Sequence, residues 1–483
     1  MGKYQTVIGL EIHAQLNSRS KIFCPEAVDF GGEPNTRISP ISLGHPGTLP
    51  SVNQDCIKMA VKIGLATGCT IAEECHFARK NYFYPDLPKG YQISQDDTPI
   101  CTNGTINIRL KDGSQKKIRI QRIHIEEDSG KSYHDQDLYD SLVDFNRAGV
   151  GLIEIVSMPD IETPEEAMAY LTEVRKLVRY LDICDGNMEE GSLRCDANVS
   201  IMPVGSTVFG TRTEVKNINS ISNVGKAIAY EAIRQEQVLE SGGKVFQETR
   251  TFDASTGTTF GLRDKETSAD YRYFPEPDLL PVVLSTQDIA DIQASLPELP
   301  EALFEKYTQA FGLPEHDATL LTEQKQFAQY FEEVLKSCSN KKAVSNWMNG
   351  SVKGYLNEMA IDITEFPIIP QTLAELINLV NDGKVSLTVA KDQLFQELLK
   401  RTDVTPLALA TELNVILDSN SDEISAWIDQ AIAENQPQVQ QYLGGKTGIA
   451  GFLVGKVVKL SQGKADPKVI NQMMVEKLDA MKS

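Results

Sequence analysis

Residues 4–16 read YQTVIGLEIHAQL. Ile8, Leu10, Ile12, Ala14 and Leu16 fall on one side of a period-two alternation, with Gly9, Glu11, His13 and Gln15 on the other. This is a strand with one apolar face for a core and one polar face, the usual pattern of an antiparallel sheet. Glu11 and His13, two positions apart, share a surface and make a donor pair for a divalent metal. An ordinary solvated strand face would read the same way.

Outward from this strand the chain stays strand-rich. Ile106, Ile108 and Leu110 alternate within 105–111, and Asp112-Gly113 supplies a hairpin turn signal. The returning stretch 117–125 slips phase between Ile118/Ile120 and Ile123/Ile125, which predicts a β-bulge near Gln121–Arg122. Residues 193–201 and 211–217 alternate again. Helices are read at 163–181, capped by Thr163 with Pro164 at its first position, and, after the last of these strands, at 227–240, closed by Gly242-Gly243. Beyond the Pro-rich stretches between Pro275 and Pro300 the period becomes helical, at 319–338, 340–359, 371–381 and 387–400. The predicted fold class is α+β. A strand-rich N-terminal domain with mostly antiparallel sheet covers 1–294, a helical domain 295–405, and a small helical tail domain 406–483.

The chain has 483 residues, ample for several domains, and its balance of apolar and charged residues is that of ordinary globular protein. Lys and Arg number 47 against 67 Asp and Glu, a net charge of −20 that at first sight speaks against a polyanionic partner. Charge acts locally, however. Residues 401–440 hold one basic and seven acidic side chains, whereas 446–483 hold seven lysines and three acids. Eight cysteines without a CxxC pair fit free thiols in a reducing cytosol. No run of apolar residues is long enough to cross a membrane, and the first strand begins at Tyr4 with no leader-like segment before it. Gly444-Gly445-Lys446-Thr447 imitates the end of a P-loop, but Gln440 stands where that motif needs glycine.

Four further stretches carry chemistry. His124-Ile125-Glu126-Glu127-Asp128 ends a strand with three carboxylates, which need solvent or a cation. Glu154 stands alone in the apolar run Leu152–Val156, where a charge is costly unless paired or metal-bound. Arg194, Asp196 and Asn198 share a face, as do Arg212, Glu214 and Lys216. Carboxylates for Mg²⁺ beside cations for phosphate oxygens suit a metal–phosphate ligand, and a salt-bridged sheet face is the plainer alternative. Finally, Arg79–Gln95 interleaves basic and aromatic residues, which hold nucleotides by charge and stacking or pack as core.

Taken together these stretches resemble the B subunits of the tRNA-dependent amidotransferases, which convert Glu-tRNA(Gln) or Asp-tRNA(Asn) to the amide. The matching runs are Val7–His13, Lys80–Gln95, His124–Lys131, Asp144–Arg147 with Leu152–Ser157, Met188–Ile201, Glu214–Ser220, Asp270–Leu279, Gly451–Lys459 and Gly463–Asn471, spread over the whole chain. The resemblance implies a cytoplasmic, bacterial, ATP- and Mg²⁺-dependent ligase subunit. Its partners would be an amidase (A) subunit that supplies ammonia, a small C subunit, and the misacylated tRNA. It implies a cradle domain over 1–294 for the kinase and transamidase chemistry. Glu11, His13, Glu127 and Glu154 would form one metal site, and Asp196 and Glu214 a second. Glu127, Asp196 and Glu214 would be catalytic, Lys80, Arg194 and Lys216 would hold ATP phosphates, and Lys456, Lys459, Lys464 and Lys468 would bind tRNA. The related tRNA(Gln)-specific archaeal type carries an extra domain that this length disfavours, and a tRNA-binding scaffold without chemistry is the alternative. Some members carry four zinc-binding cysteines near Cys24; here the other three positions correspond to Glu26, Ser39 and Ser42, so no structural zinc is expected.

Overall fold

A computed structural model describes residues 2–133, 136–137, 139–263, 271–417, 421–461, 465 and 467–481. The chain forms two compact units, 1–300 and 301–483.

The first unit is built on a nine-stranded sheet. Its elements in chain order are β1 (Tyr4–Gln15), α1 (Gln54–Ala66), β2 (Thr70–Ile71), β3 (Cys101–Arg109), β4 (Gln115–Glu127), β5 (Gly151–Ser157), α2 (Pro164–Tyr180), β6 (Leu193–Pro203), β7 (Thr213–Ile218), α3 (Ile221–Glu240), β8 (Thr249–Asp253) and β9 (Thr258–Arg263). The strand order is β9-β8-β7-β6-β1-β5-β4-β3-β2. Neighbours run antiparallel except β7 and β8, which are parallel. The phase slip read in the sequence is a register shift: Val156 faces Arg122 and Ser157 faces Ile120, which leaves Gln121 as the extra residue.

Period two sorts the side chains of the sheet. Ile8, Leu10, Ile12 and Ala14 of β1 are fully buried, with Ile123, Ile125, Ile153, Cys195, Ala197 and Val199 beside them in one core. Helices α1, α2 and α3 pack on that face. Thr163 caps α2 by accepting from the Glu166 N–H, with Pro164 first in the helix. Helix α3 starts at Ile221, six residues before the predicted start, because Ser220 caps it by accepting from the Asn223 N–H. A Cβ at Gly225 would sit 2.7 Å from Met168 Sδ, so this glycine sets how closely α3 approaches α2. A smaller three-stranded sheet joins Phe274–Pro275, Ala78–Asn81 and Tyr91–Ser94.

The second unit is helical throughout its described length. Two long helices expected from periodicity, 340–359 and 387–400, each contain a π-helical turn, at Met348–Val352 and Ala390–Leu394. The expected helix 319–338 is two helices, Glu315–Leu321 and Lys325–Ser337. Within the tail Ile424, Ile428, Val439, Leu453, Val457, Ile470 and Leu478 form their own buried cluster. Among the described residues no helix is long and apolar enough to cross a membrane.

Candidate active site on the polar face of the sheet

The face opposite the core gathers most of the candidate residues through strand register. Glu11 lies opposite Asp196, His13 opposite Glu154, and Glu154 in turn opposite His124. The result is two groups, each with ligand atoms within 4.8 Å of one another: Glu11, Asp196 and Glu214 in one, His13, Glu126 and Glu154 in the other. Because Glu11 and His13 are two residues apart on one strand, β1 serves both.

In the first group Lys216 Nζ lies 2.5 Å from Asp196 Oδ2 and 3.0 Å from Glu214 Oε1. Asn198 donates to Glu11 at 2.8 Å, and the Thr249 hydroxyl donates to Glu214 at 2.8 Å. Burial, then the charges of Glu154 and Glu214, hold the Glu11 carboxyl above its usual range. Burial opposes the Lys216 ammonium, but Asp196 and Glu214 outweigh it and leave Lys216 above its ordinary value. Three carboxylates against one ammonium leave a formal charge of about −2, and an all-oxygen donor set of that charge fits a hard divalent cation.

The second group mixes oxygen and nitrogen donors. His13 Nε2 is 3.3 Å from Glu154 and 3.7 Å from Glu126. His124 Nε2 is 3.4 Å from Glu154 and 3.6 Å from Glu126. Burial alone would strip the His13 proton; the Glu154 hydrogen bond and the two carboxylate charges instead hold its pKa up at about 9. Burial pushes Glu126 and Glu154 up, yet the histidines bring both below the usual carboxylate range. Lys80 stands at the edge of this group, and the charges of Glu126 and Glu154 keep its ammonium above the ordinary value despite burial.

Glu127 does not join His13 and Glu154 as the resemblance implied. Along β4, period two puts His124, Glu126 and Asp128 on the polar face and turns Glu127 away. Its carboxylate pairs with Lys89 and accepts from the Ile93 N–H at 2.8 Å. Glu126 occupies the place expected for Glu127, and Glu11 belongs with Asp196 and Glu214 rather than with His13. Extending the alternation from His124 picks out Glu126 and Asp128, which the resemblance missed by one residue. Arg194, expected at a phosphate, donates to Asp128 at 2.8 Å, and Gln15 donates to the same oxygen at 2.9 Å.

In the second unit Lys456 and Lys459 are exposed on the helix Ala450–Leu460, with Lys456 over the Phe452 ring at 5.3 Å. Lys464 lies outside the described residues. Lys468 sits in the helix Pro467–Ala480, but its side chain lies outside them.

Around Cys24 the residues that stand at the cysteine positions hydrogen-bond to one another. The Ser39 N–H donates to Ser42 Oγ at 2.9 Å. Burial, then a hydrogen bond to Glu26, pushes the Cys24 thiol up to about 12. A thiol held protonated is a poor zinc ligand. Elemental analysis of the purified chain should find well below one zinc per molecule, and a tight stoichiometric zinc would refute this.

Two acidic groups built on one strand, with lysines beside them, make a sheet face whose donors suit divalent cations and phosphate oxygens. Residues 6–290 match the GatB/GatE catalytic domain, and residues 329–478 match the GatB domain. Over 479 residues the chain is 50% identical to the B subunit of the aspartyl/glutamyl-tRNA(Asn/Gln) amidotransferase of Geobacter sp. (strain M21), covering 99% of both chains. It is 49% identical to the protein of that name from Thermodesulfovibrio yellowstonii, with 98% of both chains covered. It is also 49% identical to that of Chlorobaculum tepidum, with 99% of this chain and 100% of the relative covered. The chain therefore belongs to the GatB family of tRNA-dependent amidotransferase subunits and carries that family's catalytic domain.

Proposed function

We propose that this protein phosphorylates the side-chain carboxylate of Glu-tRNA(Gln) and/or Asp-tRNA(Asn) with ATP and then amidates it. A carboxylate oxygen attacks the γ-phosphorus and the bond to ADP breaks, which leaves an acyl phosphate. The nitrogen of ammonia attacks the acyl carbon, phosphate departs, and a proton is lost. Ammonia would come from an amidase (A) subunit, with a small C subunit completing the enzyme. The observation that carries this reading is the paired arrangement of Glu11/Asp196/Glu214 and His13/Glu126/Glu154 on one sheet face.

The donor chemistry fits Mg²⁺ at Glu11, Asp196 and Glu214, and a second divalent ion at His13, Glu126 and Glu154. Such ions, when bound, neutralise charge on the phosphates and on the transferring group. The chain's own residues supply the rest. Lys216 offers an ammonium beside the first group, and Lys80 offers one beside the second. Arg194, Arg147 and Gln15 hold Asp128 and so brace the floor of the site. A cleft of about 510 Å³, lined by Val7, Gly9, Glu11, Asn198, Ser200 and Arg212, adjoins the first group and has room for the nucleoside of ATP.

The division of labour follows the units. The sheet domain, 1–294, would do the chemistry, and the helical and tail domains, 295–405 and 406–483, would hold tRNA. The separate buried cluster of the tail supports its standing as a domain. Eight free cysteines and the bacterial relatives support a bacterial cytoplasm.

Phosphate release from ATP that requires misacylated tRNA tests the reaction. No release with any tRNA would favour a binding scaffold, and release that ignores tRNA would show an ATPase rather than this reaction. For the tail, Lys456→Glu with Lys459→Glu should weaken tRNA binding and flatten its salt dependence, each lost phosphate contact removing about 0.7–0.9 from the slope. Unchanged affinity at low and high salt would put the RNA surface elsewhere.

A further inference from the structure

Four tyrosines form an edge-to-face ladder beside the small sheet, in the segments that flank its strands. Tyr84 meets Tyr82 at 5.9 Å between ring centres, Tyr82 meets Tyr271 at 6.1 Å, and Tyr271 meets Tyr273 at 6.0 Å. Lys80 Nζ lies 5.0 Å from the Tyr271 ring centre and 5.8 Å from that of Tyr82. The inner rungs are half-buried. The outer ones are not: Tyr84 is 48% and Tyr273 38% exposed, and Phe83 and Phe274 beside them are 87% and 44% exposed.

The chain goes to some length to hold this surface. Arg272, between two rungs, has φ +47°, a left-handed conformation that costs a non-glycine residue. Asn81 clamps it there: its side chain donates to the Tyr271 and Arg272 carbonyls at 3.2 and 2.8 Å, and its N–H donates to Tyr271 O at 2.9 Å. Exposed aromatic rings at the end of a strained, clamped loop serve no core.

We infer that Tyr273, the exposed end of the ladder on the Tyr271 side, is the stacking platform for the terminal base of the acceptor end of the tRNA, with Lys80 on its phosphate-and-carboxylate side. This rests on the reading above and names a part of the substrate that the acidic groups do not hold. On that reading the reacting carboxylate lies beside Lys80, at the edge of the His13, Glu126 and Glu154 group. In a 3′-aminoacyl nucleoside the base stands roughly 10 Å from that carboxylate along side chain, ester and ribose. Lys80 Nζ is 5.0 Å from the Tyr271 ring centre and Tyr273 lies 6.0 Å beyond that ring, steps that together come to about that span. Stacking on the terminal base carries no information about which tRNA is bound, so the platform accepts tRNA(Gln) and tRNA(Asn) alike.

The test uses the full chain with ATP, Mg²⁺ and a misacylated tRNA whose terminal adenine is replaced by 2-aminopurine. Binding should quench the fluorophore. Tyr273→Ala should abolish the quench and raise KM for aminoacyl-tRNA roughly ten-fold or more, with KM for ATP and the melting temperature unchanged, whereas Tyr84→Ala at the far end of the ladder should keep both quench and KM. Tyr273→Trp should keep both quench and KM. An unquenched wild-type complex that still releases phosphate would overturn the platform. An unchanged KM in Tyr273→Ala would do the same. So would equal losses toward ATP and tRNA with a lower melting temperature, or lost amidase binding with tRNA kinetics intact. If wild-type protein binds and quenches the tRNA but never releases phosphate, the platform stands and the reaction assigned to the site falls.

Discussion

Glu214→Ala should lower tRNA-dependent phosphate release roughly 10²–10³-fold, the loss typical when one group that stabilises developing charge is removed. Glu214 supplies one of three carboxylates in its group and is bonded by Lys216 and Thr249. Without it the formal charge there falls from about −2 to about −1. The Glu11 carboxyl, which Glu214 helps to hold above its usual range, is relieved. The variant should therefore melt no lower than wild type, bind tRNA normally, and need more Mg²⁺ for its residual activity. Glu126→Gln should behave similarly at the other group. Near-normal turnover in both would remove the two groups from the chemistry.

Glu127→Ala should fail differently. Glu127 is 3% exposed and pairs with Lys89, itself almost enclosed. Removing one partner of a buried pair strands the other charge, at a cost of about 3–5 kcal/mol. For a unit of this size that lowers the melting midpoint by roughly 5–10 °C. Glu127→Leu combined with Lys89→Met removes both charges and should recover most of the loss. A Glu127→Ala protein as stable as wild type yet inactive would show that this carboxylate works in the reaction and not in the fold. Thermal melts beside single-turnover phosphorylation separate the two neighbours, Glu126 and Glu127.

That pair also shows what is legible in a sequence of this kind. The strand 4–16, the bulge near Gln121 and the capped helix after Thr163 announce themselves because each depends on residues close along the chain. The face of Glu126 was equally local, since period two from His124 settles it. Grouping Glu11 with Asp196 and Glu214 was not, because it depends on β1 lying between β5 and β6. Alternation gives each strand a polar face without saying which strands adjoin. The π-helical turns at Met348–Val352 and Ala390–Leu394 were also hidden: one extra residue in a turn barely disturbs a 3.6 period. The tyrosine ladder joins residues nearly 190 apart, and the local reading shows only that aromatics and cations alternate.

The central place of β1 has a consequence for how the protein is made. This strand leaves the ribosome well before its partners, residues 152–156 and 193–203. At roughly 5–20 residues per second, some 10–40 s of synthesis separate the strand from its second neighbour. Through that interval an apolar, alternating segment with two open edges is exposed in the nascent chain. Newly made protein should therefore engage holdase chaperones until about residue 200 has emerged, and slowing translation beyond that point should matter far less than slowing it before.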